Sequence, residues 1–191
     1  MRACAWCVAA LLAACASGPP PLDWQLNARG ALAQYERYYF AGETKLAERE
    51  FENAKAEIAR TGRLDLLARA ELLRCAARTA SLEFDGCPGF EASRAEAGAE
   101  ELAYADYLAG RTARAPTEQP MSQLVAAGLR LRAGTITPQD VAAAIDVASA
   151  QGWRRPLLAW LAVQARRAEE SGDQASLARI RRRIEFVTTG K

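Results

Sequence analysis

The sequence predicts an all-α protein, an antiparallel array of about eight helices, and three observations carry that prediction. Seven glycines suited to turns, Gly42, Gly62, Gly86, Gly110, Gly134, Gly152 and Gly172, recur 18 to 24 residues apart. Between them the chain is rich in Ala, Leu, Arg and Glu, with apolar residues three and four apart and few β-branched runs, which is helix chemistry at helix spacing. Helix-start signals agree: Ser93 stands three residues before Glu96, a capping-box spacing, and Thr137-Pro138 followed by Asp140 supplies an N-cap, a first-turn proline and a first-turn acid.

On these signals helices are expected over 24–40, 43–60, 64–82, 88–109, 118–132, 138–150, 154–170 and 173–187, with strand content close to nil. The first holds Tyr35, Tyr38, Tyr39 and Phe40. Ala47, Phe51, Ala54 and Ile58 make one apolar stripe in the second, and Leu66, Ala70, Leu73, Ala77 and Ala80 make the next in the third. The fourth carries Tyr104 and Tyr107, and the sixth opens at Thr137. "PLLAWLAV", Pro156 to Val163, is too short to span a bilayer and reads as the most buried helix of the C-terminal half. In the last helix Ile180, Ile184 and Val187 face the core, while Arg179, Arg181, Arg182 and Arg183 form a basic cluster. Such cations could meet anionic lipid or an acidic partner, but a solvated face near a helix C-terminus is the favoured reading. Short connections make successive helices antiparallel neighbours.

Ahead of the helices lies a different kind of segment. Met1-Arg2 precedes an apolar run from Ala3 to Ala14, then Cys15 and "ASGPPP": one early positive charge, about a dozen apolar residues and a small-residue junction read as an export leader. Leu12-Ala13-Ala14-Cys15 resembles the lipobox of bacterial lipoproteins. That resemblance implies cleavage before Cys15, acylation of Cys15, and anchoring of the chain in a lipid bilayer by several acyl chains. Ala16 rather than Asp after the cysteine implies transfer to the outer membrane, with the body facing the periplasm. The expected organisation is therefore a leader at 1–14, a lipidated cysteine and proline-rich tether at 15–23, and one helical domain at 24–191.

Cys4 and Cys7 leave with such a leader, so Cys75 and Cys87 remain as a pair in an oxidising compartment and are expected to form a disulfide, the alternative being two separately buried thiols. Bridged Cα atoms lie within about 7 Å, whereas twelve residues of helix span about 18 Å, so the chain must reverse between them. The reversal is expected near Leu82 to Gly86.

Tyr38, Gly42, Ala47, Phe51 and Ala54 stand at the spacings of the Tyr, turn Gly, Ala, Phe and Ala of the tetratricopeptide repeat, and the chain resembles that family there. The resemblance implies a tetratricopeptide-like α-solenoid, and a curved array would offer a concave face on which aromatic and Arg residues anchor a bound peptide. The resemblance is confined to about residues 38–54: Ala31, Gln34 and Tyr35 replace the usual Trp, Leu and Gly. On such a face Tyr35, Tyr39, Tyr104 and Arg111 are the candidate partner contacts, against the alternative that the tyrosines pack in the core.

The chain has no histidine, which removes Ser-His and Cys-His nucleophile pairs, histidine zinc sites and imidazole acid-base chemistry. It has neither a P-loop nor a dinucleotide-binding glycine turn, and 25 basic against 23 acidic residues give no general pull toward nucleic acid. Glu100-Glu101 and Glu169-Glu170 are adjacent, so on a helix each pair diverges by about 100° and does not converge on a substrate. No catalytic residue, metal ligand, cofactor, nucleotide or nucleic-acid partner is expected. The expected role is a non-enzymatic, outer-membrane-anchored adaptor or assembly factor for a periplasmic or outer-membrane protein, similar in architecture to lipoproteins that pilot secretins. A peptidoglycan-binding or cleaving factor and a purely structural envelope protein are the alternatives.

Overall fold

The computed structural model describes residues 22–190, so the leader, Cys15 and the tether up to Pro21 lie outside the described residues. Nine α-helices follow in order among those residues: α1 (Asp23–Ala41), α2 (Thr44–Ala59), α3 (Leu64–Ala80), α4 (Pro88–Ser93), α5 (Ala99–Leu108), α6 (Pro120–Arg132), α7 (Pro138–Ala150), α8 (Arg154–Glu170) and α9 (Gln174–Thr189). A single 3-10 turn, Arg94–Glu96, separates α4 from α5, and no strand occurs among the described residues.

Where the apolar period was unbroken, helix ends fall within two residues of expectation. Thr137 caps α7 as its spacing implies: its hydroxyl accepts from the Asp140 amide at 3.1 Å, while the Asp140 carboxylate accepts from the Thr137 amide at 2.9 Å. The segment 88–109 is the exception, since it divides into α4, the 3-10 turn and α5. Ala97 and Gly98 are extended and interrupt the run. Ser93 caps nothing: it ends α4, and its hydroxyl donates back to the Gly89 carbonyl at 3.2 Å.

α1 and α2 form a hairpin around Gly42, whose φ of 88° closes the turn in a conformation that glycine adopts without strain. Ala47, Phe51 and Ala54 are fully buried in it. α3 is the hub and touches α1, α2, α4, α5 and α6. From α6 the chain proceeds by neighbours, α6 on α7, α7 on α8 and α8 on α9, and α8 then returns to meet α1. The expected all-α array is thus present; contacts between elements as distant in sequence as α3 and α6, or α1 and α8, fold it over on itself and do not confirm a solenoid of successive pairs.

Two close approaches hold the array shut. Gly128 of α6 faces α3 so tightly that a Cβ there would lie 2.8 Å from the Thr79 carbonyl oxygen. At the other seam Trp153 stacks on Phe40 with ring centroids 4.3 Å apart, and Trp160 donates its indole N–H to the Ala80 carbonyl at 3.3 Å. Arg155 adds a fork: it donates to the Tyr39 carbonyl at 2.8 Å, to Glu83 at 3.2 Å and to the Thr44 hydroxyl, with its guanidinium 4.3 Å from the Tyr39 ring centroid.

After α3 the chain reverses through Leu82, Gly86 and Cys87, all with positive φ. Cys87 thereby returns to α3 at disulfide distance from Cys75, with Cα atoms 5.3 Å apart.

Candidate functional site: an arginine-rimmed groove

The four residues expected to meet a partner do not share a surface. Tyr35 and Tyr39 are 0% and 3% exposed, and their rings stack in the core with centroids 5.6 Å apart. Tyr35 also packs on Phe51 at 5.2 Å. They cannot touch a ligand, because Phe51 of α2 packs on Tyr35 and the Arg155 guanidinium of α8 lies over the Tyr39 ring. Tyr104 is half-buried and lines an open recess between α3 and α5 with Leu73, Glu101 and Arg114. Burial pushes its phenol up to about 12, and the Arg114 guanidinium lies 5.7 Å from its ring centroid. Arg111 is exposed beyond α5 and is already bonded to Asp106 at 2.6 and 2.9 Å.

Nor do the adjacent carboxylate pairs form a reacting couple. Glu101 accepts from Arg69 at 2.6 and 2.8 Å, a bond that holds its carboxyl below the usual range, while Glu169 reaches Arg181 at 3.6 Å. The buried carboxylate Glu71 is pushed up by desolvation, opposed by Arg74 at 4.0 Å. Beside it Arg74 meets Glu48 at 2.8 Å and Arg78 meets Asp85 at 3.1 Å, a set of matched charges over α3. The ligand atoms of Cys75, Asp85 and Cys87 lie within 4.8 Å of one another, but both sulfurs stand at bonding distance to each other, which leaves no thiolate pair for a metal.

A different feature has the character of a binding site. Between the segment after α3, α6 and α8 runs a groove floored by Leu82, Phe84, Leu131, Ala159, Ala162 and Val163, with Arg166, Arg167 and Glu170 along one side. Arg132 supports one wall, donating to the Leu108 carbonyl at 2.9 Å and lying 5.3 Å from the Phe84 ring centroid. Small residues at 159 and 162 leave the floor open. In its wall Ser81 is 4% exposed, and its hydroxyl has no hydrogen-bond partner. A buried polar atom without a partner is uncommon in a folded protein, and here it borders a space that a ligand could enter.

The groove can hold an apolar side chain against Phe84, Leu131 and Val163 while presenting two guanidiniums to a carboxylate. Among the described residues no ion pair within 4.0 Å involves Arg166 or Arg167, so both are available. Sequence reasoning missed the site because three separate segments build it. One signal was present: residues 159, 162, 163, 166, 167 and 170 share a helix face that passes from small to basic.

The chain matches no family model, no curated protein and no solved structure.

Proposed function

We propose that the protein is an outer-membrane-anchored periplasmic lipoprotein whose helical body binds a partner protein and performs no chemistry of its own. The observation that carries the binding role is the α6–α8 groove: an apolar floor, two uncommitted arginines and an unpartnered buried hydroxyl. Apolar anchors flanked by arginine are the usual energetic centre of protein interfaces. The leader and the Cys15 junction support the location, and the absence of histidine removes imidazole acid-base catalysis. Architecture alone assigns no activity, so the role is argued from the groove.

The test is in-cell crosslinking of the acylated protein followed by affinity capture and mass spectrometry, with two variants in parallel. Cys15→Ser removes the anchor, and Ala162→Trp fills the groove from an exposed position. An envelope protein captured by the native chain and lost from both variants supports the proposal. A partner retained by Ala162→Trp refutes the groove, and capture of peptidoglycan fragments alone refutes the adaptor role.

A further inference from the structure

Among the described residues, Leu22, Leu26, Leu46, Leu64, Phe84 and Phe186 are the large apolar side chains that remain well exposed. Scattered apolar exposure is ordinary and needs no explanation. Half of these residues, however, gather at one end. Leu22, Leu26 and Leu64 are 60%, 51% and 50% exposed and stand at the starts of α1 and α3. The links at 42–43 and 60–63 are too short for anything but reversals, so α1, α2 and α3 alternate in direction. The first turn of α1, the last turn of α2 and the first turn of α3 therefore lie together.

Trp24, half-buried between Leu22 and Leu26, belongs to the same end. Where α2 turns into α3, Ile58, Ala59, Leu64 and Leu67 line a shallow, mostly apolar recess rimmed by Glu52, Lys55 and Arg63. Tryptophan carries an apolar ring with one N–H donor, the chemistry favoured where hydrocarbon meets water.

What selects the occupant of this end is where the chain enters it. Leu22 follows Cys15 by seven residues, which extend to at most about 25 Å. A chain anchored through Cys15 keeps this apolar end beside the membrane at high effective concentration, whatever the rest of the body does. No other end of the array is tied so closely to the anchor.

We infer that the body docks on the phospholipid bilayer through Leu22, Trp24, Leu26 and Leu64, so that α1 rises from the lipid surface. This inference rests on acylation of Cys15. It goes further by assigning an orientation: Tyr39 stands sixteen residues after Asp23, so at about 1.5 Å each α1 sets the Arg155 fork about 24 Å off the membrane.

The test uses the full chain purified with its acylation from bacterial membranes and reconstituted in vesicles of phosphatidylethanolamine and phosphatidylglycerol with brominated acyl chains. Trp153 and Trp160 are packed in the fold, and subtracting the emission of Trp24→Phe isolates Trp24. The expected result is loss of most Trp24 emission in brominated vesicles, and its recovery when Leu22, Leu26 and Leu64 are all changed to Ser in a chain of unchanged helix content. An acylated, vesicle-bound protein with unquenched Trp24 overturns the docking and leaves the anchor standing. Mass spectrometry showing unmodified Cys15 overturns both. Shielded Trp24 with a doubled mass by light scattering assigns this end to a second copy of the chain and overturns the bilayer as its occupant.

Discussion

Two glycines inside helices allow one substitution to be tried in opposite surroundings. Gly30 lies in α1 and Gly128 in α6, and neither has a positive φ. Replacing either by Ala should bring the same gain in helix propensity, about 0.8–1 kcal/mol. At Gly30 the added methyl meets nothing within 4 Å, so Gly30→Ala should stabilise by roughly that amount. At Gly128 the methyl would stand 2.8 Å from the Thr79 carbonyl oxygen and 3.5 Å from a Leu82 methyl. Backbone faces it, so α3 and α6 must move apart, at a cost of about 1–3 kcal/mol for overpacking.

Because the propensity gain is common to both, the difference between the two variants isolates the helix contact and should be about 1–3 kcal/mol, or roughly 2–12 °C in Tm for a chain of this size. Urea unfolding followed by far-UV circular dichroism measures it, provided both variants share the native m-value. Equal stabilisation of both proteins would refute the argument that α3 and α6 meet at van der Waals distance through Gly128.

Arg155→Ala should destabilise by about 2–4 kcal/mol, most of it from the charged hydrogen bond to the Tyr39 carbonyl and the ring contact, with the half-exposed Glu83 pair contributing less. Arg155→Lys, which keeps the charge but not the fork, should recover only part of this in the same urea assay. Reducing the Cys75–Cys87 pair, or replacing both by Ser, should cost about 3 kcal/mol if the cross-link acts by restricting the unfolded chain. Denaturation with and without a thiol reductant reads that difference, and no difference would show that the pair is not bonded. Glu71 has a carboxyl pKa raised by burial, so the folded state binds its proton more tightly than the unfolded one. Its contribution is greatest below the usual carboxylate range and is lost as pH rises, and Glu71→Gln should therefore stabilise near neutrality and not in acid. Asp140 behaves oppositely, since the Thr137 amide and hydroxyl hold its pKa down. The charged capping contribution is present at neutral pH and should fade as pH falls through the lowered pKa, a pH dependence that should be absent in Asp140→Asn.

Local order was legible because it is written locally. The stripe Ala47, Phe51, Ala54 and Ile58 and the turn at Gly42 announce the α1–α2 hairpin, and Thr137 with Asp140 announces the start of α7. The reversal between the cysteines followed from bond geometry once Cys75 and Cys87 were taken as a pair. The division of 88–109 was not legible, because Gly98 is tolerated inside helical patterns and the Ser93–Glu96 spacing fits a cap that is never formed. Tyr35 and Tyr39 were misplaced for a deeper reason: whether an aromatic helix face points to solvent depends on what arrives later. Here Tyr35 is covered by Phe51 of α2, and Tyr39 by Arg155 of α8, which arrives more than a hundred residues on. The groove was hidden by the same non-locality, since Ser81, Leu131 and Val163 become neighbours only when the array closes.

The hairpin at the chain's entry also bears on how the molecule would take a pull. A force applied from the N-terminal side enters at Leu22 and runs along the axis of α1, whose flank lies against α2 and whose far end is gripped by Trp153 and Arg155. Extracting α1 along that line breaks its lateral contacts together, in shear, whereas a pull from Thr189 can peel α9 from α8 one turn at a time. The described body is thus mechanically polar: the end nearest Cys15 resists tension as a block, and the opposite end of the chain frays first.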